Sequence, residues 1–85
     1  MDAADQVRDF AYRTYIQPAR KTGQEIVRIR CGDIHGALEG TGEYLLVCNS
    51  LLAKKFRHEH KLELVGTEGS LLSLTLVITF RLLSL

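Results

Sequence analysis

Gly32-Asp33-Ile34-His35-Gly36-Ala37-Leu38-Glu39-Gly40-Thr41-Gly42-Glu43-Tyr44-Leu45-Leu46-Val47-Cys48-Asn49-Ser50-Leu51-Leu52-Ala53-Lys54-Lys55-Phe56 is the stretch on which the fold turns. Asp33 is a natural N-cap, and Ile34, Ala37 and Leu38 recur at helical spacing behind it, which predicts a short helix over 33–39. Gly36 inside that helix costs about 1 kcal/mol relative to alanine, and close approach by another helix would explain it. Gly40-Thr41-Gly42-Glu43 reads as a glycine-broken turn. A second helix is predicted from Tyr44 to Phe56, with Tyr44, Leu45, Cys48, Leu51, Leu52 and Phe56 on its apolar arc. Leu46, Asn49, Ser50, Ala53 and Arg57 form the opposite arc, and Lys54 stands at its edge. Two helices joined by about four residues must cross sharply.

The segment before this unit holds a helix and a strand. Asp2 or Asp5 caps a first helix with Val7, Phe10, Ala11, Thr14 and Tyr15 on one stripe. Pro18 is expected to end it near Ile16 or Gln17, with a further turn over 18–21 before Gly23. Glu25–Cys31 alternates, with Val27, Ile29 and Cys31 on one side and Arg28 and Arg30 on the other, as in a half-buried strand. After the unit, Leu62 and Leu64 alternate with Lys61, Glu63 and Val65. A turn is expected over 66–70, and the return strand carries Leu74, Leu76, Ile78, Phe80 and Leu82 on one face. That one-sided pattern fits an antiparallel hairpin packed on helices.

Eighty-five residues with 46% hydrophobic and 25% charged side chains read as one small globular domain over 1–85. The formal charge of +1 lacks the basic excess common in nucleic-acid-binding domains, but the charge is unevenly spread. Residues 1–43 carry six basic and seven acidic side chains, and residues 44–85 five and three. Lys54, Lys55, Arg57 and Lys61 gather within eight residues, opposed by Glu59. Cys31 and Cys48, with sixteen residues between them, have no ligand-like spacing and read as buried free thiols, which suits a reducing cytoplasm. The acidic start Met1-Asp2-Ala3-Ala4-Asp5 carries no apolar leader-like run. The leucine-rich end, broken by Ser73, Thr75, Thr79, Arg81 and Ser84, is too short to span a bilayer. A cytoplasmic location without membrane contact is the expectation.

The order helix, strand, helix, turn, helix, strand, turn, strand resembles the winged helix-turn-helix superfamily over nearly the whole chain. That resemblance implies an α+β fold of three helices packed on a small antiparallel sheet. Ile29-Arg30-Cys31-Gly32-Asp33-Ile34-His35 is also similar to a stretch in small uncharacterised prokaryotic, notably archaeal, proteins, which share Val47-Cys48, Lys55-Phe56 and Glu68-Gly69 at comparable places. Those proteins tend to open the helix after the turn with Asn-Arg-x-Pro, where this chain has Gly42-Glu43-Tyr44-Leu45, and to carry Gly-Ala-Asn after the wing, where it has Ser73-Leu74-Thr75.

The resemblance implies duplex DNA as partner and transcriptional regulation as role, with the helix from Tyr44 to Phe56 toward the major groove. Asn49 suits adenine edges, Lys54 and Arg57 suit guanine or phosphate, and Lys55, in the same basic run, suits phosphate. Ser50 and Ala53 would let the helix sit close. Leu46 on that arc suits a protein contact better, and Leu83 and Leu85 suit either a homodimer edge or a cover for the first helix. A protein-interaction or dimerisation module is therefore the alternative. Glu68 leaves the wing without a basic tip. His58 and His60 have two-ligand spacing but no further donors to complete a metal site. No phosphate loop or nucleophile–base pair appears, so neither cofactor nor catalysis is expected.

Overall fold

Asp2 opens α1 (Ala3–Ala11), its Oδ1 accepting from the Asp5 amide at 2.8 Å. The helix does not stop before the proline. It widens into a π-helical stretch, Tyr12–Ile16, in which the Gln17 amide reaches back to the Tyr12 carbonyl, and continues as α2 (Gln17–Lys21). Pro18 has no N–H for the carbonyl four residues back, and it sits in the first turn of the resumed helix. The computed structural model describes residues 2–38, 44–70 and 73–85.

The extra residue of the π turn rotates everything after it by about 100°. The buried positions accordingly run Val7, Ala11, Ile16 and Ala19, while Thr14 is exposed and Tyr15 half-buried. This corrects the uniform stripe expected from periodicity. The Gln24 amide bonds to Ala19 O at 2.9 Å and the Gly23 amide to Arg20 O at 3.2 Å, with Gly23 at φ +76°, a Schellman ending.

β1 (Ile26–Arg30), β2 (Leu62–Glu68) and β3 (Val77–Leu82) form one antiparallel sheet in the order β1-β3-β2. Val27 pairs with Phe80 and Ile29 with Ile78 on one side, and Leu62 with Leu82 and Leu64 with Phe80 on the other. Val65 is a bulge, after which Gly66, Thr67 and Glu68 pair with Thr79, Ile78 and Val77. The turn expected over 66–70 thus begins later. Leu76, Ile78 and Phe80 are fully buried, Leu82 is half-buried and Leu74 is exposed.

α3 (Cys31–Ala37) follows β1 without a loop. Its N-cap is Arg30 rather than Asp33, and Asp33 lies in the first turn, 3.8 Å from the Arg30 guanidinium. The Cys31 amide bonds to Leu76 O at 2.9 Å and the Gly32 amide to Leu74 O at 3.0 Å, pinning the start of α3 to the β2–β3 connection. A Cβ on Gly32 would sit 2.7 Å from the Leu74 carbonyl oxygen. The close approach expected at Gly36 is found here instead, and Gly36 faces open space.

The turn expected over 40–43 lies outside the described residues. The helix expected from Tyr44 to Phe56 is two: α4 (Tyr44–Leu52) and α5 (Lys54–His60), separated at Ala53, whose φ −64° and ψ 141° are extended. α4 packs between α1 and α3 and buries Val47, Cys48, Ser50 and Leu51. Tyr44 and Leu45 are 41% and 36% exposed, so the buried arc is rotated from the expected one. α4 is apolar almost all round, and such a helix does not declare its inner face by periodicity. Among the described residues the fold is α+β, with the helices packed against a small three-stranded sheet.

α5 ends on Lys61, which takes the left-handed conformation at φ 54° without being glycine, a geometry that persists where neighbours over-determine it. Arg20 supplies them: its guanidinium donates to His60 O at 2.7 Å, Lys61 O at 3.1 Å and Leu83 O at 2.8 Å. Replacing Arg20 with Met is expected to destabilise the protein by about 1.5–3 kcal/mol, the range for hydrogen bonds to a charged group. Arg13→Met, which breaks only an exposed pair with Asp9, is expected to stay within about 1 kcal/mol. Urea unfolding of both variants checks the contrast.

Candidate nucleic-acid interface

The proposed reading surface divides at Ala53. On α4, Asn49 is exposed, and the neighbouring solvent face is Tyr44 and Leu45, with Leu46 half-buried. Ser50 is not on that face. It is 3% exposed, and its hydroxyl donates to the Leu46 carbonyl at 2.6 Å. This removes Ser50 from the contact set: its hydroxyl bonds back to the preceding turn and leaves no donor for an outside ligand. Ala53 is the half-buried, extended joint between the two helices.

On α5, Lys54, Lys55 and His58 are exposed and Arg57 is half-buried. Phe56 is fully buried, edge-on to Phe80 with centroids 5.6 Å apart and edge-on to His60 at 5.3 Å. His60 stacks on Tyr12 at 4.2 Å with 15° between the rings. These rings join α1's π extension, α5 and β3, and they fix which side of α5 faces out.

The cations are unequally engaged. Lys55 lies 3.6 Å from Asp5 and 3.9 Å from Glu59. Hydrogen bonding to Arg8, aided by the Lys55 charge, holds the Asp5 carboxyl below the usual carboxylate range. Arg28 pairs with Glu68 at 3.0 Å, Arg30 with Asp33 at 3.8 Å and Arg81 with Glu63 at 3.3 Å. Among the described residues, Lys21, Lys54, Arg57 and Lys61 are the lysines and arginines without a carboxylate partner or, as for Arg20, carbonyl partners. Three of these fall between Lys54 and Lys61.

A groove of about 530 Å³ runs between α5 and β2, with Lys54, Arg57 and His58 on one wall and Leu64 and Glu63 on the other. Lys55 is on the α1 side, held by Asp5, so the lysines and arginine of the basic run do not converge as one patch. Arg28, Arg30 and Arg81 share the outer face of the sheet, where their partners are acidic. The β2–β3 connection from 69 to 76 carries no lysine or arginine. Gly69 holds it at φ +91°, where a Cβ would meet Thr75 O at 2.6 Å, and the Ser73 hydroxyl donates to Ser70 O at 2.7 Å.

Leu83 is 41% and Leu85 89% exposed. Arg20 was missed as a positioning residue, because a lone arginine near a helix end carries no signal of the carbonyls it will meet 40 and 63 positions later. No helix among the described residues is long and apolar enough to cross a membrane. No family model matches the chain, and no curated protein or solved structure is significantly similar to it.

Burial pushes the His60 imidazole below the ordinary histidine value of 6.5, with the Arg20 charge adding to the effect and Glu59 and Asp9 opposing it. The folded state therefore favours neutral His60. Its contribution to stability is complete above the ordinary value and is lost as the pH falls below it and through the lowered folded value. Urea unfolding between pH 7 and pH 5 is expected to show falling stability, with a shallower fall in His60→Gln.

Proposed function

We propose that this chain is a winged helix-turn-helix protein that binds duplex DNA and acts in transcriptional regulation. The connectivity supports the fold assignment: α3, α4 and α5 lie between β1 and β2, with α4 and α5 in the place of one reading helix, and the strand order β1-β3-β2 seats the final strand in the middle of the sheet. The observation that carries the DNA reading is the reserve of unengaged positive charge on one segment, Lys54, Arg57 and Lys61, in a molecule whose other cations are mostly tied to its own acids. Phosphate binding draws on such free cations.

In this reading α4 and α5 divide the work of a reading helix. Lys54, Arg57 and Lys61 meet phosphate oxygens, and Asn49, the exposed amide of α4, is the side chain suited to a base edge. Lys55 contributes only after releasing Asp5 and Glu59. Each phosphate contact contributes about 0.9 to the slope of log affinity against log salt. Lys54→Ala and Arg57→Ala are expected to weaken duplex binding and to flatten that slope by about 1 each, whereas Arg8→Ala leaves both unchanged. Fluorescence anisotropy with a labelled duplex measures this, and an absence of binding at about 50 mM salt overturns the proposal.

The exposed Tyr44 and Leu45 at the start of α4 favour a second reading, an interaction module docking that apolar end on another protein. A partner recovered by affinity capture and lost on Leu45→Asp, with the urea midpoint unchanged, supports it. Capture that survives the substitution counts against it.

A further inference from the structure

We infer that Cys31 and Cys48 are a latent disulfide pair whose oxidation staples α3 to α4. The backbone brings them together under one short segment. The Cys31 amide donates to Leu76 O, the adjacent Gly32 amide to Leu74 O, and the Cys48 thiol to Ser73 O at 3.5 Å. One sulfur stands at the first residue of α3 and the other in the second turn of α4, helices that pack directly on each other. Both side chains are fully buried, so neither meets a thiol of another molecule while the fold is closed. Their nearness also shows electrostatically: burial first, and then the Cys48 thiol beside it, pushes the Cys31 thiol up to about 12.

The closed fold therefore keeps the pair reduced, because the thiolate is the reactive form and burial disfavours it. Reaction proceeds when the segment over the thiols opens locally. With hydrogen peroxide as oxidant, one sulfur attacks the O–O bond and takes an oxygen as sulfenic acid while water leaves. The other sulfur then displaces that oxygen as a second water, and the S–S bond forms. Two thiol hydrogens and two electrons pass to the peroxide, which ends as two waters. The cross-link closes a loop through the α3–α4 connection and narrows the unfolded ensemble.

The test treats the full chain with hydrogen peroxide and maps it without reduction. Trypsin finds no lysine or arginine between Cys31 and Lys54, so both cysteines share one tryptic peptide, expected to be lighter by two hydrogens. A glutamate-specific protease cuts after Glu39 and Glu43 and leaves two peptides joined until reductant is added. The titratable thiols of the denatured protein fall from two to none, no disulfide-linked dimer forms, and the urea midpoint rises. Mild urea below the unfolding transition speeds the reaction. Intermolecular dimers as the main product, sulfinic acid on separate cysteines, or two thiols still free after the mild-urea reaction would overturn the inference. Cys48→Ser, if it folds, abolishes the linked peptide and leaves Cys31 as a sulfenic acid trapped by dimedone; the wild-type map decides the matter if it does not.

Discussion

One guanidinium holds together three segments that the chain order keeps apart. Arg20 leaves the last turn of α2 and binds carbonyls at the end of α5, at the left-handed Lys61 and at Leu83 beyond β3. Lys61 O also accepts the Leu83 amide at 2.9 Å. The place where α5 stops, the residue at which β2 starts and the path of the chain after β3 are therefore settled at one point. The orphan carbonyls at a helix C-terminus favour a cation, and a planar multi-donor head serves several carbonyls where an ammonium would act as a point charge. The π turn is what aims Arg20. Without the extra residue before Pro18, the side chains of α2 would be rotated by about 100°, and Ala19 would not fill the core beside it.

The aromatic series beside this clamp turns the same constraint into packing. Tyr12 lies flat on His60, His60 meets the edge of Phe56, and Phe56 meets Phe80 of the central strand. Burial within this stack disfavours the charged form of His60, with the nearby Arg20 guanidinium adding to that and the carboxylates of Glu59 and Asp9 opposing it. α5 is held from beneath by Phe56 and at its end by Arg20, so its outward residues are placed by contacts they do not make themselves.

Strand alternation was the most legible feature in the sequence. Val27, Ile29, Ile78 and Phe80 are buried as their period-two pattern requires, because a half-buried strand states its inner face directly. The N-terminal helix was legible only up to Ala11. Beyond it a one-residue insertion shifts the phase, and no residue type marks a π turn apart from the proline that follows. α4 was misread for the opposite reason. Its run Tyr44-Leu45-Leu46-Val47-Cys48-Asn49-Ser50-Leu51-Leu52 is apolar in nearly every direction, so neighbours rather than pattern decided that Ser50 turns in and Leu45 out. The break at Ala53 was invisible because alanine is a strong helix former. Gly36 and Gly32 look alike on the page, and only the arrival of the Leu74 carbonyl distinguishes them. In the candidate site, the positions of Lys54 and Arg57 were readable from the charge run, whereas the capture of Lys55 by Asp5 depends on a contact across 50 residues.

That capture bears on what kind of binder so nearly neutral a chain can be. Internal pairing leaves Lys54, Arg57 and Lys61 on the proposed contact segment, which limits the counterion-release slope to roughly −3 for a duplex. Sequence-independent attraction of that size is weak, and the groove beside α5 contains Glu63 as well. A large share of any useful affinity must then come from contacts that depend on shape: Asn49 at a base edge, and the apolar end of α4 against a sugar, a thymine methyl or a neighbouring protein. In the proposed reading, the same internal pairing that would weaken general polyanion binding would make duplex binding selective, because little attraction would remain when the short-range fit is wrong.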